Sequence, residues 1–117
     1  MEQQLLTIVG LVAVAALIIV RVIRSNARKK LVREKLTEGA KVVDVRTPGE
    51  FGGGHYPGAV NIPLDKLSNK MKKLGSKDST ILVYCASGSR SRFAVSRLRA
   101  AGFKDVINGG SLSGLPR

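Results

Sequence analysis

At 117 residues, the chain has room for one small domain and excludes a second, because its strongly apolar N-terminal part leaves about 75 to 90 residues for a folded core. One cysteine, Cys85, and one histidine, His55, exclude an internal disulfide framework and give no metal cluster of recognised spacing. The formal charge of +12, from 20 Lys and Arg against 8 Asp and Glu, predicts an anionic partner such as membrane lipid, nucleic acid or a small anion.

The N-terminal apolar segment predicts a membrane-spanning helix. Residues 5–20 are interrupted only by Thr7 and Gly10, and the segment through Ile23 reaches 19 residues, close to the length that crosses a bilayer. Basic residues follow this segment instead of preceding it, which is the wrong order for a cleaved signal peptide. By the positive-inside tendency, the N-terminus lies outside and residues 21–117 lie in the cytoplasm. We therefore predict a single-pass anchor over 1–24, a transmembrane helix with a short N-terminal tail.

A basic segment joins this anchor to the rest of the chain. Residues 21–35 hold seven basic side chains against Glu34 alone, and Leu31, Val32 and Leu36 place a narrow apolar stripe at helical spacing. We predict a basic linker helix over 25–37, followed by a domain over 38–117. Because the densest charge adjoins the apolar segment and no aromatic stacking platform is evident, we expect a membrane and not nucleic acid as partner. The sequence does not identify a membrane protein that would pair with the anchor helix.

Apolar periodicity predicts an α/β fold after the linker. The pattern indicates strand 42–45, a short extended piece at 59–62, helix 64–74, strand 81–85, helix 91–101 and strand 104–107. The continuous apolar residues at 81–84 suit a strand that is buried on both faces. Strands that alternate with helices over short connections favour a central parallel sheet flanked by helices.

Cys85 stands at the end of one predicted strand, just before the helix that begins at Ser91. The start of a helix concentrates unpaired backbone N–H groups and the positive end of the helix dipole, and both favour an anion or a thiolate. Such surroundings lower the pKa of a cysteine and make it nucleophilic. The alternative is a small buried apolar residue, the usual place of a lone free cysteine. We expect Cys85 to be a nucleophile.

Asp44 and Arg46 end the first predicted strand. Because ligands of parallel sheets collect beyond the carboxyl ends of the strands, this end and Cys85 should lie on the same side of the sheet. We expect Arg46 to form an ion pair with Glu50 that fixes the following turn. Asp44 would oppose an anionic substrate, so we assign Asp44 and Arg46 supporting roles. We expect a structural role for His55, which lies in a loop rich in glycine and proline.

From the first predicted strand onward, the chain carries a set of short motifs in a characteristic order. They are Asp44-Val45-Arg46-Thr47-Pro48 with Glu50-Phe51, Gly54-His55-Tyr56-Pro57-Gly58-Ala59 with Asn61-Ile62-Pro63, Val83-Tyr84-Cys85 with Gly88 and Arg90-Ser91, Ala101-Gly102-Phe103, and Asn108-Gly109-Gly110. This set resembles a single-domain rhodanese, a thiosulfate-type sulfurtransferase, over residues 38–116. The short end after Gly110 and the absence of tryptophan are similar to the short phage-shock-type rhodaneses of bacteria.

The resemblance implies the rhodanese-like α/β fold, a central parallel sheet with helices on both sides. It also implies that Cys85 receives sulfane sulfur as a persulfide. The donor would be thiosulfate or a similar small anion, and the acceptor would be a thiophile, cyanide in vitro or a cellular thiol. We expect no cofactor and no metal.

The loop over 86–91 is the expected binding site for donor and persulfide. Gly88 permits the positive φ that turns backbone amides inward. Arg90 is the candidate for binding the donor anion, because a guanidinium engages two oxygens of thiosulfate in a geometry that lysine does not match. The alternative for Arg90 is an ion pair with a carboxylate that braces the loop. The cradle would be formed by backbone N–H groups of Ala86, Ser87, Gly88, Ser89 and Ser91.

Two other classes of function compete with the sulfurtransferase. A phosphatase or arsenate reductase uses a cysteine–arginine loop in a related fold, but that loop is one residue longer than the four residues that separate Cys85 from Arg90. A membrane-tethered persulfide carrier or partner-docking module, with little thiosulfate turnover, is the main alternative.

Overall fold

The computed structural model describes residues 1–116, and the chain divides into two compact units, residues 1–30 and the residues from 31 onward. A long helix, α1 (Glu2–Thr37), forms the first unit and continues into the second. The second unit then contains β1 (Lys41–Asp44), α2 (Pro48–Gly52), β2 (Val60–Asn61), two 3-10 helices (Leu64–Asn69 and Met71–Leu74), β3 (Thr80–Cys85), α3 (Ser89–Ala100), β4 (Asp105–Ser111) and a last 3-10 helix (Leu112–Gly114).

The first unit exposes apolar side chains on every side of its helix. Between residues 5 and 23 the large apolar side chains are 44% to 70% exposed. The mean hydropathy of an 18-residue window reaches 2.8, so α1 is long and apolar enough to cross a membrane. Its length and composition alone support this, and an N-terminal signal sequence has the same properties. The orientation and the boundaries between anchor, linker and domain remain predictions.

The four strands form one parallel sheet in the order β2–β1–β3–β4. Alternate residues of a strand face opposite sides of a sheet. Val43 and Val83 pack on one side with apolar residues of α3 and the 3-10 helices, and Val42 and Leu82 pack on the other with Val32 of α1. Both faces are therefore buried, which accounts for the continuous apolar run in β3. The predicted α/β class, with a central parallel sheet flanked by helices, is confirmed.

The end of α1 contributes to the core of the second unit. Val32 is 3% exposed and belongs to the same apolar cluster as Leu82 and Leu115. Lys35 forms an ion pair with Asp105, the first residue of β4, at 3.1 Å. Residues 31–37, which the sequence pattern places in a linker, thus cover one face of the sheet.

The helix predicted over 64–74 is two 3-10 helices in the structure. Its apolar residues come in two pairs, Leu64 with Leu67 and Met71 with Leu74. The members of each pair are three residues apart, and a helix with three residues per turn places such pairs on one face. Leu67 and Leu74 are fully buried as a result.

The short helix α2 was not predicted. Thr47 accepts a hydrogen bond from the Glu50 N–H at 3.2 Å, and the Glu50 carboxylate accepts one from the Thr47 N–H at 3.2 Å. This reciprocal pair is a capping box, and Pro48 occupies the first turn of the helix, where its missing N–H is not needed. The Thr47-Pro48-Gly49 motif therefore starts a helix as well as ending a strand.

The last strand is longer than predicted. β4 continues past residue 107 to Ser111, which pairs with Cys85 at the end of β3. The sequence pattern predicts a strand only over 104–107, with a polar tail that begins at Gly109 and Gly110, and glycine weakens strands in general.

A bulge lies in the extended part of β4. Asn108 and Gly110 pair with consecutive residues of β3, so Gly109 is the extra residue. A Cβ atom on Gly109 would lie 2.6 Å from Cδ2 of the buried Leu82. Only glycine therefore lets β4 approach β3 this closely, and the bulge turns the end of β4 toward the loop that follows Cys85.

Candidate active site

Cys85 is the last residue of β3, and its side chain is fully buried. Gly88 precedes the first turn of α3 with a φ of 97°, in the left-handed region that glycine adopts without strain. This conformation directs the Gly88 N–H at the Cys85 Sγ, 2.9 Å away. The thiol therefore lies at the predicted strand-to-helix junction, with a backbone donor aimed at the sulfur.

The other residues of the loop lie nearer the surface. Ala86, Ser87 and Ser89 are exposed, and the Ser87 hydroxyl donates a hydrogen bond to the Ser89 hydroxyl at 3.4 Å. Gly88 packs against the β4 bulge, since a Cβ added to it would lie 3.4 Å from the Gly110 Cα. The predicted role of this loop as a persulfide cradle remains a prediction.

Ser91 connects the thiol to β4. Its hydroxyl oxygen lies 3.5 Å from the Cys85 Sγ and 2.6 Å from Oδ1 of Asn108. The Gly110 N–H donates to the same Oδ1 at 2.9 Å, which fixes the orientation of the Asn108 amide because Oδ1 must be the acceptor. In the sequence, Asn108 stands out only as a residue of the Asn108-Gly109-Gly110 motif. It lies just beyond the strand predicted over 104–107, so the sequence pattern alone did not place it beside Cys85.

Two opposing effects set the pKa of Cys85. Burial acts to raise it, whereas the Ser91 hydroxyl and the backbone N–H groups of Ser91, Ser87 and Gly88 act to lower it. The hydrogen bonds prevail, and the pKa of the thiol lies below its ordinary value. Hydrogen bonds that favour the charged form have this effect because they stabilise the thiolate in place of water. Cys85 is therefore a more acidic thiol than a free cysteine.

Arg90 and Glu50 form a two-pronged ion pair beside the loop. Nη1 and Nη2 of Arg90 donate to Oε1 and Oε2 of Glu50 at 2.7 and 2.9 Å. The Arg90 guanidinium, followed by the Thr47 backbone N–H, lowers the pKa of Glu50 to about 2. The carboxylate thus stays charged at any physiological pH. This geometry is the ion pair that braces the loop, one of the two interpretations of Arg90. Two N–H groups of the guanidinium face the two oxygens of the planar Glu50 carboxylate.

The prediction of an ion pair between Arg46 and Glu50 is wrong. Arg46 Nη2 instead donates to Oδ2 of the fully buried Asp44 at 2.7 Å, and to the Gly54 carbonyl at 2.7 Å. Arg46 is closer in sequence to Asp44, and a buried carboxylate without a cation would be costly. Asp44 and Arg46 thus fix the turn after β1 and the glycine-rich loop.

Tyr84 ties this glycine-rich loop to β3. Its hydroxyl accepts a hydrogen bond from the Tyr56 N–H at 2.9 Å, and burial raises the pKa of Tyr84 to about 12. His55 is exposed and stacks on Phe51, with ring centroids 3.8 Å apart. Within residues 1–116, no three His, Cys, Asp or Glu side chains cluster as a metal site.

Comparisons with known proteins place this chain in a family. A family model described as "Rhodanese-like domain" matches residues 28–112. The chain belongs to the rhodanese-like family. The sequence resemblance is thus confirmed at this level: relatives at about 36% identity include sulfurtransferases, and the family in general acts with sulfur donors and thiol acceptors.

Three similar proteins show how far the likeness of this rhodanese-like protein extends. "Thiosulfate sulfurtransferase 16, chloroplastic" of Arabidopsis thaliana is 36% identical over 110 residues, covering 79% of this chain and 91% of that protein. "Putative sulfur carrier protein YrkF" of Bacillus subtilis is 38% identical over 71 residues, covering 61% of this chain and 38% of that protein. A solved structure of a rhodanese with anions from E. coli has a TM-score of 0.62 and 32% identity, covering 66% of this chain and 94% of that chain. The rhodanese-like fold is confirmed.

The contact between Ser91 and Cys85 predicts how alkylation of the thiol depends on pH. Replacing Ser91 with Ala removes a hydrogen bond that lowers the thiol pKa, so the pKa should rise. Cys85 is the only cysteine, so the pH dependence of iodoacetamide alkylation of the full chain in detergent micelles measures it directly. The alkylation midpoint of S91A should move to higher pH. Ser96→Ala, an exposed hydroxyl deletion on the same helix, is the control, and equal midpoints in S91A and wild type would contradict the prediction.

Proposed function

We propose that this rhodanese-like protein is a sulfurtransferase that carries sulfane sulfur as a persulfide on Cys85. The donor is thiosulfate or a similar small anion, and the acceptor is a thiophile, cyanide in vitro or a cellular thiol. The observation that carries the proposal is the 2.9 Å hydrogen bond from the Gly88 N–H to the Cys85 Sγ, together with the lowered pKa of that thiol. Backbone N–H groups that stabilise a thiolate also favour negative charge on a persulfide formed there.

The proposed cycle has two displacements. The Cys85 thiolate attacks the outer sulfur of thiosulfate, the sulfur–sulfur bond of the donor breaks, and sulfite leaves with the bonding electron pair. The acceptor then attacks the outer sulfur of the persulfide, and the Cys85 thiolate is regenerated. No separate general base is needed, because cysteine with a lowered pKa is already a competent nucleophile. Backbone N–H groups of the loop would cradle the transferred sulfur.

Arg90 is proposed to bind the donor anion in exchange for Glu50. Its two N–H groups already hold a pair of carboxylate oxygens at 2.7 and 2.9 Å, and two oxygens of thiosulfate present a similar pair of acceptors. The related E. coli rhodanese was solved with anions, which supports an anion site in this family. Asp44 and Arg46 are proposed to act only as supports, because their side chains bond to each other and to the turn.

A persulfide carrier with little thiosulfate turnover is the second candidate. The likeness to the putative sulfur carrier protein of B. subtilis favours it, and so does the complete burial of the Cys85 side chain, which slows access of a free donor. A phosphatase or arsenate reductase is disfavoured by the short spacing between Cys85 and Arg90 and by the direction of Arg90 toward Glu50.

The proposed location is a membrane, with the N-terminus outside and the rhodanese-like domain in the cytoplasm. The apolar part of α1 and the basic residues that follow it support this orientation. The anchor over 1–24, the linker over 25–37, the domain over 38–117 and the phage-shock-type C-terminus belong to the same proposal.

The persulfide is tested by mass measurement of the full chain in detergent micelles after exposure to thiosulfate. We expect one added sulfur on wild type, none on Cys85→Ser, and no thiosulfate-to-cyanide transfer by the variant. A persulfide with negligible turnover would favour the carrier. Transfer activity that survives in C85S would rule out the mechanism.

The role of Arg90 is tested by steady-state thiosulfate-to-cyanide kinetics. Lysine keeps the charge but not the two-pronged geometry, so Arg90→Lys should raise KM for thiosulfate, by about tenfold. Glu50→Gln should lower KM, because it removes the competing carboxylate. If Arg90 only braces the loop, E50Q should impair activity as R90K does, and that result would overturn the proposal. Arg92→Lys is the matched control on the same helix.

Topology is tested by adding protease to membrane vesicles of both orientations. The basic flank of the anchor predicts that the domain is cleaved only in vesicles that expose their cytoplasmic face. Detergent-treated vesicles are the control for cleavability. Digestion of the domain in vesicles of the opposite orientation would show the reverse topology.

A further inference from the structure

A groove lies beside the candidate site, between α3 and the 3-10 helix over Leu64–Asn69. Its volume is about 310 Å³, and Arg90 forms part of its wall. Val45, Pro63 and Leu64 supply apolar lining, and Asp65 and Arg97 supply charges of opposite sign. This volume is at the small end of the range of ligand sites, about 300 to 1,000 Å³, so the groove suits a small molecule.

Asp65 and Arg97 line the groove from two different elements, Asp65 from the 3-10 helix and Arg97 from α3. Nη1 of Arg97 donates a hydrogen bond to the Leu64 carbonyl at 3.4 Å, and Asp65 is the next residue. Both side chains are exposed. Within the described part of the chain, the ion pairs use other side chains. Asp65 and Arg97 are thus available to a ligand that carries both charges.

We propose that this groove binds the acceptor, and that the acceptor is a small amino-acid-type thiol with an ammonium and a carboxylate. The proposal rests on the proposed sulfurtransferase function and names its acceptor class. Arg97 binds the carboxylate and Asp65 binds the ammonium, which matches the two groups that an amino acid carries on one carbon. Asp65 repels a purely anionic ligand beside Arg97, whereas the donor anion is proposed to bind at Arg90.

Arg90 connects the groove to the reacting sulfur. It lines the groove, and it stands in the first turn of α3, directly after the loop that follows Cys85. The acceptor thiolate attacks the outer sulfur of the Cys85 persulfide, the sulfur–sulfur bond of the persulfide breaks, and Cys85 leaves as the thiolate. The product is the persulfide of the acceptor, and no oxidant or reductant is consumed.

The test compares three thiols as acceptors from thiosulfate-loaded full chain in detergent micelles. L-cysteine carries both charges, cysteamine lacks the carboxylate, and 3-mercaptopropionate lacks the ammonium. Because the thiols differ in intrinsic reactivity, the readout is the ratio of kcat/KM between two thiols, compared between variant and wild type.

Arg97→Gln should lower the ratio of L-cysteine to cysteamine, and Asp65→Asn should lower the ratio of L-cysteine to 3-mercaptopropionate, each by on the order of threefold to fivefold. Arg92→Gln, which removes the same charge from α3 outside the groove, should change neither ratio.

Unchanged ratios in R97Q and D65N, with Cys85 persulfide still forming, would overturn the acceptor site and leave the sulfurtransferase intact. An equal fall in R92Q would also overturn it, because the effect would then be one of general charge. Failure of wild type to form a Cys85 persulfide would overturn both proposals.

Discussion

Strand β3 pairs with β1 along one edge and with β4 along the other, and helices cover both faces of the sheet. Its last residue therefore has almost no freedom to move, and that residue is Cys85. A thiol in such a place would normally be inert, because burial favours its neutral form. The hydrogen bond from the Gly88 N–H offsets this effect because it stabilises the thiolate. The reactivity of Cys85 therefore depends on the loop keeping that N–H directed at the sulfur.

Contacts with β4 fix the conformation of the loop. Gly88 packs on Gly110, and Ser91 bonds to Asn108, whose amide is fixed by the Gly110 N–H. These contacts exist because the bulge at Gly109 brings the end of β4 across to α3. A polar network inside an apolar core is costly unless it is satisfied, and no buried side-chain N or O atom of residues 1–116 lacks a partner. The loop and the strand thus position each other.

Local patterns predicted the parts of this arrangement that depend on neighbouring residues. Apolar runs gave the strands, and the small residues after Cys85 gave the strand-to-helix junction. The partner of Glu50 was not predictable, because Arg46 and Arg90 were both cations of suitable reach, and Arg90 lies 40 positions after Glu50 in the chain. Asn108 was missed because its role depends on a bulge, and a bulge shows in sequence only as glycine.

One side of the sheet is closed by residues from opposite ends of the second unit. Val32, near the end of α1, and Leu115, which follows the last 3-10 helix, belong to the same apolar cluster as Leu82 and Tyr84. During synthesis, Val32 leaves the ribosome long before Leu115 does. This layer of the core therefore cannot be completed until Leu115 has been synthesised, and one face of the sheet stays partly uncovered until then. Folding of the second unit, and not only its activity, thus depends on a residue that lies beyond the candidate site in the chain.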